Sequence, residues 1–148
     1  MRDLRAGLLR GHRLIGIDPG RRTIGLALSD VLLSLASPYG SLKRGKLREN
    51  AAEIGDIAHK ETAAGLVVGL PLSMDGTMGP AAQAARDWAL ALSDATGLPM
   101  ALWDERLSSA AINRFLVGEA DVSRRKRAAS VDRLAAAWIL QAALDASR

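Results

Sequence analysis

Three acidic residues stand where a folded chain could bring their carboxylates together. Asp18 follows the apolar run LIGI, Glu105 ends the segment PMALWDE, and Asp132 lies within SVDRLAAAWILQAAL. Carboxylates gathered at one point repel each other, so such a group is stable only when positive charge compensates it. Hard oxygen ligands with no histidine or cysteine nearby favour Mg²⁺ or Mn²⁺ over zinc. Two such ions about 4 Å apart could activate water for phosphodiester hydrolysis.

Each acid also has a purely structural interpretation. Asp18 precedes a Pro-Gly pair and could close a turn, and Asp132 could be a charge at a helix start. Glu105 could pair with the neighbouring Arg106. Taken singly, the acids favour these structural roles, whereas three acids at converging positions favour a site.

The hydrophobic pattern predicts the strands that would position these acids. Two apolar runs flank a glycine-containing turn and predict a β-hairpin, and an extended segment adds a third strand. Two later runs are apolar and short, as in strands buried on both faces. The predicted strands lie at 14–17, 24–28, 34–42, 64–71 and 99–105.

Helical spacing of apolar residues alternates with the later strands. The predicted helices lie at 47–61, at 80–97, at 108–117, and from Ser130 toward the end of the chain. The stretch GEADVSRRKRAA before the last helix is expected to be a mobile loop. Asp132 would then lie in the first turn of its helix, where the helix dipole favours the ionised carboxylate. The buried stripe of this helix is predicted to comprise Val131, Leu134, Ala135, Trp138, Ile139 and Ala142.

The order of elements implies an α/β fold. A three-stranded antiparallel meander followed by two β/α units predicts a mixed five-stranded sheet with helices on its faces. If the first strand is central and runs parallel to the strand beside it, Asp18 and Glu105 emerge at the same edge of the sheet. Open α/β sheets place their sites at that edge.

Length and composition favour one soluble domain. The chain has 148 residues and no cysteine, which excludes disulfides and thiolate metal sites. No stretch approaches the ~20 apolar residues of a membrane helix, and the first residues lack the apolar core of a signal peptide. We therefore expect a cytoplasmic protein without a membrane partner.

Clusters of positive charge suggest a nucleic-acid partner, with ordinary solvated surface charge as the alternative. The net charge is +4, and cations crowd the first third of the chain at Arg2, Arg5, Arg10, Arg13, Arg21, Arg22, Lys43, Arg44, Lys46 and Arg48. Arg21 and Arg22, at the hairpin tip, could clamp a phosphate, and Arg106 could contact the scissile phosphate or form a plain ion pair. A basic run would meet a nucleic-acid backbone without reading its sequence. That run is Arg124, Arg125, Lys126 and Arg127.

Four segments resemble the successive motifs of the YqgF/RuvX family of bacterial pre-16S rRNA nucleases, also described as Holliday junction resolvases. They are IGIDPGRRTIGLALSD, LVVGLPLSMDGTMGPAAQAARDWA, WDERLSS and SVDRLAAAWILQAAL. The resemblance spans about residues 13–145. Pro19 departs from the family, which more often has an aromatic residue there; this weakens any assumption about base stacking at that point and leaves the acids unaffected. We treat residues 1–12 as an N-terminal extension and residues 13–148 as the nuclease domain.

The resemblance implies a ribonuclease H-like fold with Asp18, Glu105 and Asp132 as its metal-binding catalytic acids. It implies an endonuclease that processes the 5′ end of pre-16S rRNA in ribosome biogenesis. One alternative is a resolvase of four-way DNA junctions, which would require a two-fold homodimer. Another is a nucleic-acid-binding ribosome assembly factor without catalysis.

Overall fold

The computed structural model describes residues 1–8, 11–72, 75–107 and 124–148, and in the last range it describes side chains from Arg133 onward. A mixed sheet lies at its centre. Its strands are β1 (Arg13–Pro19), β2 (Thr23–Ser29), β3 (Ala36–Lys43), β4 (Ala63–Leu70) and β5 (Met100–Asp104). The strand order is β3-β2-β1-β4-β5. The first three strands are antiparallel, and β1, β4 and β5 are parallel. The predicted meander with two parallel strands is confirmed.

Helices cover both faces of the sheet. They are α1 (Arg2–Ala6), α2 (Leu47–Glu61), α3 (Pro80–Thr96) and α4 (Arg124–Ala146), with a short 3₁₀ turn at Glu105–Leu107. Helices α2 and α3 pack with one face of the sheet in one apolar core, and α4 packs with the other face in a second core. The predicted bounds of α2 and α3 are confirmed. The predicted helix at 108–117 lies outside the described residues.

Side chains of β1 alternate between the two cores, as a strand requires. Ile15 and Ile17 are buried in the core beneath α2 and α3, and Leu14 is buried in the core beneath α4. A Cβ at Gly16 would lie 2.7 Å from Leu140 Cβ, so Gly16 also faces α4. The central strand is therefore buried on both sides.

The start of the last helix corrects the sequence prediction. The structure begins α4 at Arg124, six residues before the expected start at Ser130, so RRKRAA belongs to the helix and not to a loop. Arginine, lysine and alanine are among the best helix formers, and no glycine or proline interrupts them. This capacity to form a helix explains why the segment extends α4 instead of forming the predicted mobile loop.

Helix α1 was not expected from the sequence. Its Arg5 side chain donates a hydrogen bond to the Leu144 carbonyl at 3.3 Å and another to Ser147 Oγ at 3.1 Å. The C-terminal end of α4 therefore lies near the segment that leads into β1. Within the described ranges, no helix has both the length and the apolar character needed to cross a membrane.

Candidate active site

Asp18 lies near the carboxyl end of the central strand. Its side chain is only 1% exposed. Asp18 pairs with Gly25 of β2, and its position two residues after Gly16 places it on the strand face that α4 covers. A carboxylate here is held by a strand that has neighbours on both sides.

Glu105 lies at the same edge of the sheet. It is the first residue of the 3₁₀ turn after β5, and its side chain is 4% exposed. Leu70 at the end of β4 pairs with Asp104, and β4 lies between β1 and β5. The strands that carry the two acids are therefore separated by two strand spacings, about 10 Å. The side chains of Asp18 and Glu105 extend beyond the backbone and can bring the two carboxylates closer together than the strands are.

Asp132 lies on α4, and its side chain is outside the described residues. The position precedes Ala136 by four residues and Ile139 by seven, and both of those residues contact glycines of the sheet. Residues at this spacing share one face of a helix. Because the C-terminal end of α4 lies near the start of β1, position 132 lies toward the carboxyl edge. The structure thus places Asp18 and Glu105 at one edge of the sheet, and it places position 132 on the helix that covers the face of the sheet to which Asp18 belongs.

The predicted stabilisation of the ionised Asp132 carboxylate by the helix dipole is wrong, because α4 begins earlier than expected. Asp132 is the ninth residue of α4 and not part of its first turn. The influence of the helix N-terminus falls off within the first turn. The dipole of α4 therefore gives Asp132 little stabilisation.

Of the three predicted metal ligands, the structure describes the side chains of Asp18 and Glu105, and both are buried. Over the described part of the chain, no group of three His, Cys, Asp or Glu side chains is close enough to hold an ion. The third predicted acid belongs to the side chains that the structure does not describe. Carboxylate oxygens fit a hard divalent cation such as Mg²⁺ or Mn²⁺.

Arg106 forms an ion pair with Asp104. Its Nε lies 3.0 Å from Asp104 Oδ1, and its Nη2 lies 2.6 Å from Oδ2. The hydrogen bonds from Arg106 lower the pKa of Asp104, and the same contact raises the pKa of Arg106. A Cβ at Gly76 would lie 3.5 Å from the Arg106 guanidinium, so the loop after β4 packs against this arginine. The Arg106 guanidinium therefore lies between Asp104 and the loop after β4.

Asp75 and Asp30, two further acids of the sequence motifs, have structural roles. Asp75 Oδ1 accepts hydrogen bonds from the Thr77 hydroxyl at 2.7 Å and the Thr77 amide at 3.0 Å, and these bonds lower the pKa of Asp75. Asp30 accepts hydrogen bonds from the Ser34 hydroxyl and amide in the β2–β3 loop. Both acids therefore close turns.

The other predicted phosphate-binding cations lie on two elements, apart from Arg106 in the 3₁₀ turn. Arg21 and Arg22 are exposed in the β1–β2 turn, which the Gly20 amide closes by donating to the Thr23 carbonyl at 3.1 Å. The cations at 124–127 lie on the first turn of α4, and their side chains are outside the described residues. Arg21 and Arg22 follow Asp18 by three and four residues in the sequence.

Arg44 organises this turn, and no role was predicted for it from the sequence. Its amide donates to the Arg22 carbonyl at 2.9 Å, and its Nη1 donates to the Gly20 carbonyl at 2.8 Å. Its guanidinium carbon lies 5.2 Å from the centre of the Trp88 ring. Such contacts join residues distant in the chain, so the only signal in the sequence is the cation-rich segment itself.

Comparison with known proteins gives the family. A family model described as "RuvX: Holliday junction resolvase" matches residues 12–146. A relative from Gluconacetobacter diazotrophicus, named "Putative pre-16S rRNA nuclease", is 63% identical over 147 residues, which cover 99% of this chain and 96% of the relative. A relative of the same name from Acidiphilium cryptum is 65% identical and covers 97% of this chain and 90% of the relative.

A solved structure supports the fold. Thermus thermophilus RuvC in complex with a Holliday junction substrate matches with a TM-score of 0.54 at 20% identity, covering 91% of this chain and 94% of that chain. This likeness confirms the predicted ribonuclease H-like fold. Together with the full-length relatives and the family model, it shows that the chain belongs to the RuvX family of nucleases, which are hydrolases of ester bonds in nucleic acids.

Proposed function

We propose that this protein is a cytoplasmic, divalent-metal-dependent endonuclease that processes the 5′ end of pre-16S rRNA. The observation that carries the proposal is the burial of Asp18 and Glu105 at one edge of the sheet, at 1% and 4% exposure. Buried carboxylates at one edge are costly unless a cation compensates them. The name shared by the full-length relatives supports precursor 16S rRNA as the substrate.

Asp18, Glu105 and Asp132 would hold the metal in this proposal. A divalent ion supplies activation of water and stabilisation of charge on the leaving oxygen. Asp18 contributes a ligand fixed by the central strand, and Glu105 contributes one fixed by a tight turn. Preorganised ligands of this kind need little rearrangement during the reaction.

Cationic side chains of the chain would position the RNA. Arg21 and Arg22 follow Asp18 by three and four residues and are exposed, so they can bind a phosphate beside the acids. Arg106 follows Glu105 directly, and its bidentate contact with Asp104 limits the directions in which its guanidinium can point. The basic run Arg124, Arg125, Lys126 and Arg127 would contact more distant phosphates.

The substrate is tested by offering two nucleic acids to the purified protein. A labelled precursor that contains the 5′ end of 16S rRNA and a synthetic four-way DNA junction are incubated with Mg²⁺ or Mn²⁺. Cutting of the RNA at the mature 5′ end, with the junction left intact, supports the proposal. If the protein binds the RNA and cuts neither substrate, the assembly-factor alternative replaces the nuclease proposal.

Resolution of DNA junctions is the second candidate, and the description of the matching family model favours it. A resolvase must cut two strands symmetrically, which requires a two-fold dimer, whereas trimming of RNA does not. Molar mass measured by light scattering at the assay concentration separates the candidates. A monomer that cuts RNA contradicts the resolvase, and a stable dimer that cuts only the junction contradicts RNA processing.

A further inference from the structure

Two neighbouring segments carry a dense group of cations at the edge of the sheet where Asp18 lies. One is the β1–β2 turn, and the other runs from the end of β3 into the first turn of α2. The two segments are neighbours because Thr23 at the start of β2 pairs with Lys43 at the end of β3. We name these cations the basic ridge: Arg21, Arg22, Lys43, Arg44, Lys46 and Arg48. Arg44 is half-buried, and the other five are exposed.

The backbone of the ridge is fixed by contacts within the protein. Arg44 joins the two segments through its hydrogen bonds to the carbonyls of Arg22 and Gly20, at 2.9 and 2.8 Å. The fully buried Asn50 accepts from the Gly45 amide at 2.9 Å and donates to the Lys43 carbonyl at 3.1 Å. A preformed surface loses little conformational freedom when a ligand binds.

The positive charges of the ridge have few counter-charges inside the protein. Over the described residues, the ion pairs involve Arg13, Arg106 and Arg148, and none involves a cation of the ridge. Between 43 and 49 the one acid in the sequence is Glu49, whose Oε2 lies 2.9 Å from where a Cβ of Gly45 would stand. Asn50 also donates to Glu53 Oε1 at 3.0 Å, so Glu49 and Glu53 lie near the ridge. Six cations outnumber these exposed carboxylates and leave a positive surface that suits a polyanion.

We infer that the basic ridge binds the phosphates of the RNA strand on one side of the scissile bond. The inference rests on the proposed function and extends it to Lys43, Arg44, Lys46 and Arg48. Arg21 is three residues from Asp18, so the ridge begins within about 10 Å of the candidate catalytic acid. The exposed side chains contact phosphates without reading bases. Arg44 acts as a positioning residue that holds the turn of Arg21 and Arg22 in place.

The test compares two double variants with matched charge loss. Lys46→Gln/Arg48→Gln removes one lysine and one arginine from the ridge. The control, Arg2→Gln/Lys60→Gln, removes the same types of exposed residue from α1 and from the end of α2 away from the ridge. Binding of a fluorescent single-stranded fragment of the precursor is measured by anisotropy in EDTA at several salt concentrations. Equal melting temperatures establish that each variant is folded.

The ridge variant is expected to bind the RNA about tenfold more weakly than the wild type at 0.15 M salt. The slope of log K against log salt should be shallower by about 1.4, because each of the two lost single-strand phosphate contacts contributes about 0.7. The control should retain the wild-type slope. Equal slopes for the wild type and both variants would overturn the inference. Cleavage in Mg²⁺ is scored separately: a wild type that shows the ridge-dependent slope but does not cut contradicts the proposed function and leaves the ridge supported.

Discussion

Gly16 of β1 lies directly beneath Leu140 of α4. A methyl group at Gly16 would stand 2.7 Å from Leu140 Cβ and 3.0 Å from the carbonyl oxygen of Ala136. Neither atom is at the end of a flexible side chain, so the helix could yield only by moving as a body. Asp18 is two residues further along β1, and position 132 is about one turn before Ala136. This contact therefore sets the spacing between the elements that carry two of the proposed metal ligands.

Gly16→Ala is expected to lower both stability and turnover. Overpacking at such a contact costs about 1–3 kcal/mol of the free energy of unfolding, and the displaced helix would carry its acid away from Asp18. Urea unfolding measures the first effect, and single-turnover cleavage at saturating RNA measures the second. Gly55→Ala on α2 is the control, because nothing lies within 4 Å of the added Cβ. It should stabilise the protein by about 0.5–1 kcal/mol and leave cleavage unchanged. Wild-type stability and rate in Gly16→Ala would contradict this account of the interface.

Gly69→Ala should cost less than Gly16→Ala. The added Cβ would lie 2.7 Å from Ile139 Cδ1, which is the end of a flexible side chain, and 3.5 Å from Cγ1. Rotation of Ile139 can relieve most of the clash, so we expect a loss of about 1 kcal/mol in the free energy of unfolding. The double variant Gly69→Ala/Ile139→Val removes the clashing methyl group. Its loss should be smaller than the sum of the losses of the two single variants, and strict additivity would refute this interpretation.

Asp30 should make stability depend on pH in the acid range. Its Oδ2 accepts from the Ser34 hydroxyl at 2.6 Å, and this hydrogen bond lowers the pKa of Asp30 below its ordinary value of 3.8. Because the folded-state pKa is the lower one, the stabilisation is present above about pH 4 and is lost as the pH falls through the folded-state pKa. Asp30→Asn should therefore cost about 1 kcal/mol near neutral pH, and the difference from the wild type should shrink in strong acid. Chemical unfolding of both proteins across this range checks the prediction, and a difference independent of pH would count against it.

Local sequence signals predicted the elements that have a regular spacing of apolar residues or a proline or glycine at their ends. The spacing of Leu47, Ala51, Ile54 and Ala58 predicted α2, and the last three are buried in the structure. Pro80 and Gly97 marked the two ends of α3, where proline occupies the first helical position and glycine has φ of 72°. The run after Ala63 predicted a parallel strand because it is apolar on both faces. These features depend on residues close together in the chain.

The buried face of α4 was predicted only in part from its sequence. Ala135 and Ile139 of the expected stripe are fully buried, which confirms that part of the prediction. Leu134 is 40% exposed, however, and Ala136 and Leu140, which were not in the stripe, are fully buried. Alanine occurs on every face of this helix, so its hydropathy does not distinguish a buried face. Gly16 and Gly69 select that face, because they let the helix approach the sheet most closely where Ala136, Ile139 and Leu140 pack. Packing between segments that are distant in the sequence determines which face of α4 is buried, and it also produces the contacts of Arg44.

The most direct test of the proposed site is single-turnover cleavage of the labelled precursor RNA in Mg²⁺ by the wild type, Asp18→Asn and Glu105→Gln. Asp87→Asn is the matched control, because Asp87 is exposed on α3 and accepts a hydrogen bond from Gln83. Loss of a ligand that supports metal catalysis should slow cutting by at least about 100-fold in the first two variants. The control should cut at the wild-type rate. Cleavage by Asp18→Asn at the wild-type rate would contradict the central claim that this buried carboxylate serves the nuclease reaction.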